Sequence, residues 1–201
     1  MKVILFGLMI LGLFGCQLPE NIPTYMMKNE LQYRGFSVKK PTDNRWFIVN
    51  SERNTDVIFR ANTDSKTHTI FSSIGLKKIY SQPASRDELK TIVDSDVNSG
   101  VDGKKYELIS YESFPEDKQN LWGVRFKLKV LNNVAMNSDV PLVMLISGHY
   151  VLHPSWQKTL VAMEISERGI AEEIEKDLYA SARNILNGTE VQTAPGVAAG
   201  K

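Results

Sequence analysis

Cys16 is the single cysteine in this chain of 201 residues. No disulfide can therefore form within one copy of the chain, although small secreted domains commonly depend on disulfides because their cores are small. The fold must be held together by its hydrophobic core. Hydrophobic residues make up 42% of the sequence, and a domain of about 150 residues buries enough surface to be stable without cross-links.

The segment before Cys16 has the features of a secretory signal peptide. Lys2 gives a basic start, residues 3–14 are mostly apolar, and the small residue Gly15 precedes the cysteine. A helix made of that apolar run would be about 18 Å long, whereas the bilayer core is about 30 Å thick. We therefore expect residues 1–15 to be removed as a signal and not kept as a membrane span.

The run Leu13-Phe14-Gly15-Cys16 resembles the lipobox of bacterial lipoproteins. The resemblance implies that the Cys16 thiol carries a diacylglycerol and that further acylation, such as palmitate, makes a stable anchor. Gln17 stands where an aspartate would retain a lipoprotein in the inner membrane, which implies an outer-membrane protein that faces the periplasm. An ordinary signal peptide followed by a chance cysteine is the alternative.

The overall charge offers no second means of attachment. Loss of Lys2 with the signal peptide leaves equal numbers of basic and acidic residues, from 24 and 23 in the full chain. Nucleic-acid binding requires a basic footprint, which a neutral chain lacks. We expect a membrane partner through the lipid on Cys16 and no nucleic-acid partner.

The chain after the signal peptide is predicted to contain one domain. Residues 16–29 include Pro19 and Pro23 without a clear period, which is typical of a flexible tether. A single domain is expected over residues 30–188. Residues 189–201 are small and polar, and they are expected to be disordered.

Strand patterns dominate this domain. The clearest is at residues 122–131, where apolar residues alternate with Arg125, Lys127 and Lys129, so that one face belongs to a core and the other to solvent. Residues 142–146 are apolar on both faces, as in a central strand. Strands are predicted at residues 36–39, 45–50, 56–61, 67–74, 105–114, 122–131, 140–152 and 158–166.

Two helices are predicted between and after these strands. Ser85 and Glu88 form a capping box, an apolar stripe follows, and Gly100 is the stop signal. The second helix is expected at residues 170–187. The order β-β-β-β-α-β-β-β-β-α predicts an α+β fold in which an antiparallel sheet of about seven or eight strands packs against two helices.

Three parts of the sequence resemble the PsbP-like fold. They are Gly35-Phe36-Ser37-Val38-Lys39-Lys40-Pro41, the following Trp46, and Lys105-Tyr106 at the start of a predicted strand. The resemblance implies a fold used for assembly and binding, in photosystem subunits and nuclear-transport factors, with no shared catalytic residues.

No catalytic, cofactor or metal site is predicted. His149 and His153 share a strand face but lie about 13 Å apart at about 3.3 Å per residue, too far apart to bind one zinc ion. Ser147 and His149 are about 7 Å apart by the same reasoning, which is beyond hydrogen-bond reach. The sequence contains no phosphate-binding loop, dinucleotide motif or nucleophile elbow.

The first candidate binding feature is the basic stripe, formed by Arg125, Lys127 and Lys129. These side chains share one strand face and could meet an acidic partner, lipid headgroups or polysaccharide. The alternative is a solvated strand face that is neutralised by acids such as Glu107 or Glu164.

The second candidate is the tip, defined as residues 153–156 with His153 and Trp156 as its rings. Loops on rigid scaffolds often carry recognition, and tryptophan is enriched at binding hot spots. The alternative is that Trp156 folds back and caps the end of the sheet.

We therefore predict a lipid-anchored envelope protein whose domain binds or assembles with a partner and is not an enzyme. The alternative is a secreted or membrane-anchored hydrolase, which requires a concave pocket with a hydrogen-bonded Ser–His or carboxylate pair. A structural lipoprotein that binds another envelope protein is not distinguished from the first hypothesis by the sequence.

Overall fold

Strands with alternating apolar residues make up most of the fold. The computed structural model describes residues 22–49, 55–101, 103–134, 141–170 and 176–193, so the predicted signal peptide and Cys16 lie outside the described residues. The elements are β1 (Ile22–Pro23), a short 3₁₀ helix (Thr24–Met26), β2 (Glu30–Tyr33), β3 (Phe36–Lys39), β4 (Trp46–Val49), β5 (Asp56–Ala61), β6 (Thr69–Lys78), α1 (Arg86–Ser99), β7 (Tyr106–Pro115), β8 (Gly123–Asn132), β9 (Leu142–Leu152), β10 (Thr159–Gly169), α2 (Lys176–Asn187) and β11 (Thr189–Val191).

The described strands form two antiparallel sheets. The larger has eight strands in the order β1-β4-β5-β6-β10-β9-β8-β7, and the smaller has three in the order β11-β3-β2. Strand β10 pairs along most of its length with β6 on one side and with β9 on the other. The prediction of an α+β fold, with an antiparallel sheet of seven or eight strands and two helices, is confirmed.

The two helices pack on opposite faces of the large sheet. Helix α1 covers β7 and β8, whereas α2 covers β6 and β10. Because successive strand residues point to opposite faces, β10 contributes to both cores: Leu160 packs in the α1 core, and Val161 and Met163 pack in the α2 core. The buried helix residues are Leu89, Val93 and Val97 of α1, and Ala182, Ile185 and Leu186 of α2.

Helix α1 begins at the predicted capping box. The Ser85 hydroxyl accepts a hydrogen bond from the Glu88 amide at 3.1 Å, and the Glu88 carboxylate accepts one from the Ala84 amide at 2.7 Å. Both bonds satisfy amides that the helix itself leaves free. The second helix was expected from residue 170, but β10 continues to Gly169 and α2 is described only from Lys176; residues 171–175 lie outside the described residues.

The N-terminal part of the fold starts earlier than residue 30. Strand β1 lies within the predicted tether of residues 16–29 and pairs with β4. Thr24 is fully buried, and its hydroxyl donates to the Trp46 carbonyl at 3.1 Å. Strand β2, at the start of the predicted domain, was also missed. Segments of two to four residues are too short to show a period, so their structure depends on the partner strand.

The C-terminal part of the fold extends beyond residue 188. Strand β11 lies in the tail that was predicted to be disordered and pairs with β3. Thr189 and Val191 are buried there. The small and polar composition of residues 189–201 gave no sign of this pairing, because the hydrogen bonds come from a strand about 150 residues earlier in the chain.

Gly148 provides a test of how tightly the α1 core is packed. It lies opposite Phe126 in the β8–β9 register, and the Phe126 ring occupies the space in which a Cβ at Gly148 would stand. Gly148→Ala is expected to lower the free energy of unfolding by about 1–3 kcal/mol, the usual cost of overpacking a core, as measured by urea denaturation. The double variant Gly148→Ala/Phe126→Leu should lose less free energy of unfolding than the two single variants lose in total. Strictly additive losses would contradict this packing.

Candidate functional site

The tip folds back onto the small sheet. Trp156 stacks on His153, with ring centroids 4.3 Å apart and ring planes 7° apart, and the Arg34 guanidinium lies 5.1 Å from the centre of the Trp156 ring. Gly35 has a φ of +86° in the β2–β3 turn, and a Cβ there would lie 2.8 Å from the Trp156 ring. The tip therefore fastens the β9–β10 hairpin to the β2–β3 turn, and its role in binding stays a prediction.

His153 is buried and holds the tip in shape. Its Nδ1 accepts hydrogen bonds from the amides of Ser155 at 3.2 Å and Trp156 at 3.1 Å. Burial lowers the pKa of His153, and the charge of Lys78 acts in the same direction, against a hydrogen bond to the Gly35 backbone. The ring is therefore a neutral structural group near pH 7.

The basic stripe lies on the face of β8 that points away from α1. Arg125 pairs with Glu116 at 2.5 Å, and Lys127 pairs with Glu112 at 2.8 Å. The Lys127–Glu112 pair is more than half exposed, and exposed pairs contribute about 0–1 kcal/mol. Lys129 continues the same strand face. The stripe is thus largely neutralised, and the tip contacts a different part of the fold, so the two candidates do not form one site.

The other two histidines also have structural partners. His149 Nε2 lies 2.8 Å from the Glu116 carbonyl oxygen, and burial lowers the pKa of His149 despite that hydrogen bond. His68 Nε2 lies 2.9 Å from a carboxylate oxygen of Glu167, and both residues are buried. The sequence did not reveal this pair because its members are 99 residues apart. Within the described ranges, no three His, Cys, Asp or Glu side chains are grouped as metal ligands.

A polar cluster lies between α1 and the large sheet. Asp94 of α1 accepts hydrogen bonds from the Tyr111 and Ser113 hydroxyls, each at 2.6 Å, and from the Lys90 ammonium at 2.6 Å. Burial opposes ionisation of Asp94, but these hydrogen bonds outweigh it, and the pKa of Asp94 is lowered. The carboxylate therefore fastens the helix to β7 in its charged form.

The same cluster continues to the centre of the sheet. Lys77 pairs with Asp96 of α1 and lies 5.4 Å from the centre of the Tyr150 ring. The Tyr150 hydroxyl donates to the Glu164 carboxylate. Burial raises the pKa of Glu164, the Asp96 charge raises it further, and the Tyr150 hydrogen bond and Lys77 oppose the shift. Glu164 is thus on the opposite face from the basic stripe and does not neutralise it.

One residue from each strand of the large sheet lies beside its partner on the next strand, so that eight side chains form a row across one face of the sheet. Helix α1 covers this row only at one end. The covered end includes Ile146 and Leu128, which are core residues. At the other end of the row the side chains are half-buried, and no layer of described residues packs over them. The full row is Pro23, Phe47, Arg60, Phe71, Ser166, Ile146, Leu128 and Tyr111.

We call the uncovered part of this row and its neighbours the arginine face, defined by Phe47, Ile58, Arg60, Phe71, Ser166 and Arg168. The Arg60 guanidinium lies 6.0 Å from the centre of the Phe71 ring. Arg168 is two residues along β10 from Ser166 and therefore points to the same side. Sequence reasoning missed this surface, because single arginines in separate strands carry no signal until the register places them together.

The pH dependence of stability tests the buried state of Glu164. Because its pKa is raised in the folded protein, its contribution to stability is full below the unfolded pKa of about 4.3 and is lost as the pH rises through the folded pKa. Glu164→Gln keeps an acceptor for Tyr150 but does not titrate. Its unfolding free energy, measured by urea denaturation, should therefore improve relative to the parent as the pH rises above about 4.3, the unfolded pKa of a glutamate.

Tyr150→Phe serves as the matched control. It removes a hydrogen bond that lowers the pKa of Glu164, so the pH window of the lost stability should move upward. A stability difference between Glu164→Gln and the parent that is constant across this pH range would contradict the buried, proton-sensitive carboxyl group.

No family model matches this chain, and no curated protein matches it. Solved structures that align with most of it include the Ran-binding protein Mog1p of Saccharomyces cerevisiae, at 10% identity over 81% of this chain and 94% of that chain, with a TM-score of 0.49. A mutant of protein Mog1 aligns at 11% identity over 82% of this chain and 96% of that chain, with a TM-score of 0.49. Cyanobacterial PsbP (CyanoP) from Synechocystis sp. aligns at 16% identity over 83% of this chain and 94% of that chain, with a TM-score of 0.45. These likenesses assign neither a ligand nor an activity to the chain.

Proposed function

We propose that this chain is a lipid-anchored bacterial envelope protein whose folded domain binds a partner and does not catalyse a reaction. The observation that carries the binding role is the arginine face. It combines apolar rings with two guanidinium groups on a sheet surface that no layer of the described residues covers. Aromatic rings and arginine are both enriched at protein surfaces that bind partners.

The lipid anchor is supported by the sequence around Cys16 and by its short distance in sequence from Ile22, the first residue that the structure describes. Strand β1 starts at Ile22, so only a short segment separates the acylated cysteine from the domain. Among the helices that the structure describes, none is both long enough and apolar enough to cross a membrane.

The non-catalytic role is supported by the partners of the histidines. A hydrolase would use a histidine to activate a hydroxyl group. His68 is instead hydrogen-bonded to the Glu167 carboxylate, and His149 is hydrogen-bonded to a backbone carbonyl. Nδ1 of His153 accepts hydrogen bonds from two backbone amides. Each ring is committed to a contact that supports the fold.

The anchor is tested by the mass of the mature N-terminal peptide isolated from cell membranes. We expect a peptide that begins at Cys16 and carries a diacylglycerol, because the thiol is the acylated group in the lipobox. The Cys16→Ala variant should lack this modification, because it has no thiol to acylate. A chain that keeps residues 1–15, or that is cleaved but not acylated, would overturn the anchor.

The binding surface is tested by site-specific photo-crosslinking in living cells. A photoreactive residue at Ser166, on the arginine face, is expected to form adducts with a protein or a lipid of the envelope. The matched control is Ser110, an exposed serine that lies opposite Lys129 in the register and therefore on the other face of the sheet. Equal adduct yields at Ser166 and Ser110 would contradict a binding role for the arginine face.

A further inference from the structure

The arginine face contains two positive charges that lack an acidic partner among the described residues. Other half-buried cations of the fold are paired, such as Arg125 with Glu116 and Lys77 with Asp96. The Nε atoms of Arg60, Arg168 and Arg125 are all buried without a hydrogen-bond acceptor in the described part of the chain. Arg125 still reaches Glu116 through a terminal nitrogen, whereas no ion pair joins Arg60 or Arg168 to an acid among the described residues.

An external anion would satisfy these guanidinium groups. A buried donor without an acceptor costs free energy, and a charged donor costs more than a neutral one. The guanidinium group presents a planar fork of N–H donors that matches the oxygens of a phosphate group. Stacking of Arg60 on Phe71 restricts the guanidinium in advance, so less side-chain freedom is lost when the anion binds.

The carboxyl group of Glu164, which lies on the same face of β10, does not serve as this anion. Glu164 lies two residues before Ser166 on the same strand face, but the Tyr150 hydroxyl donates to its carboxylate and Lys77 is close to it. Burial raises its pKa, so its negative charge is disfavoured. The Glu164 carboxylate is therefore engaged by Tyr150 and is not the acceptor for Arg60 or Arg168.

The position of the arginine face relative to the N-terminus indicates which anion it meets. The row that contains Phe47 and Arg60 ends at Pro23 of β1, the edge strand at which the described chain begins. Cys16 precedes Ile22 by six residues, which reach about 20 Å at most when extended. A lipid on Cys16 would hold this edge of the sheet, and the adjoining arginine face, close to the bilayer surface.

We propose that the arginine face lies on the anchoring membrane and that Arg60 and Arg168 bind phospholipid phosphate groups. This inference rests on the proposed lipid anchor, which brings the face to the bilayer. Phe47, Ile58 and Phe71 flank the guanidinium groups, so apolar rings and arginine stems meet the headgroup region together. An acidic protein partner is the competing occupant, and the short distance to the anchor favours the membrane.

The test uses the mature chain from residue 16 onward with Cys16→Ala, so that neither an acyl chain nor the apolar residues 1–15 contribute to binding. Its binding is measured by co-sedimentation with phosphatidylcholine vesicles that contain or lack phosphatidylglycerol. We expect binding to the anionic vesicles only. Arg60→Gln/Arg168→Gln should weaken it by about thirtyfold, because each basic residue at an anionic surface contributes about fivefold.

The matched control is Lys127→Gln/Lys129→Gln, which removes the same charge from the opposite face of the sheet. This variant should bind the anionic vesicles as tightly as the Cys16→Ala parent. Equal weakening by the two double variants would overturn the assignment to the arginine face. Absence of binding to the anionic vesicles would overturn contact of this face with the membrane and leave an acidic protein as the occupant.

A second measurement does not depend on how the arginine variants fold. Because Cys16→Ala removes the one cysteine, a single polarity-sensitive fluorophore can be attached at Ser166→Cys, and a matched one at Ser110→Cys. The emission of the Ser166→Cys label should shift to the blue when anionic vesicles are added, whereas that of the Ser110→Cys label should not. A shift at Ser110→Cys alone would overturn the proposal. None of these measurements needs the acyl chain. A failure of the lipid anchor would be recognised independently, by the mass of the N-terminal peptide.

Discussion

Strand β10 belongs to both hydrophobic cores, and the rest of the structure depends on its register. Its even-numbered residue Leu160 packs under α1, while Val161 and Met163 pack under α2. A slip of one residue would exchange these sets between the faces and expose both cores at once. The paired ladders with β6 and β9 run along most of β10 and hold it against such a slip.

The offset between the two helices explains where the surface chemistry lies. Each helix covers one face of the sheet over part of its width, so no helix of the described ranges lies on the remaining part of each face. Under α1, Asp94 and Glu164 are hydrogen-bonded to neighbouring hydroxyl groups. Beyond the edge of α1, Arg60 and Arg168 have no such partner among the described residues. The proposed binding role rests on this contrast between paired and unpaired groups.

Much of the fold was predictable because its signals are local. The alternation at β8 and the capping box at Ser85 each involve residues that are close in sequence, and both predictions agree with the structure. Strands β1, β2 and β11 were missed, since each has two to four residues and depends on hydrogen bonds from a partner. The candidate site was less predictable. The basic stripe and the tip were visible in the sequence, but their ion pairs and ring stacking were not.

The sequence by itself determined which residues of each long strand share a face, where α1 begins, and the signal-like segment that ends at Cys16. Those properties depend on the two-residue period of a strand, on a few adjacent side chains, or on a short motif. The tertiary structure alone decided which faces are covered, that His68 meets Glu167, and that the half-buried Arg60 and Arg168 share one face of the sheet. The physical reason is that the two-residue period of a strand defines its two faces but not which strands lie beside it. Pairing between distant segments decides which strands are neighbours, and the helices then cover only part of the resulting sheet.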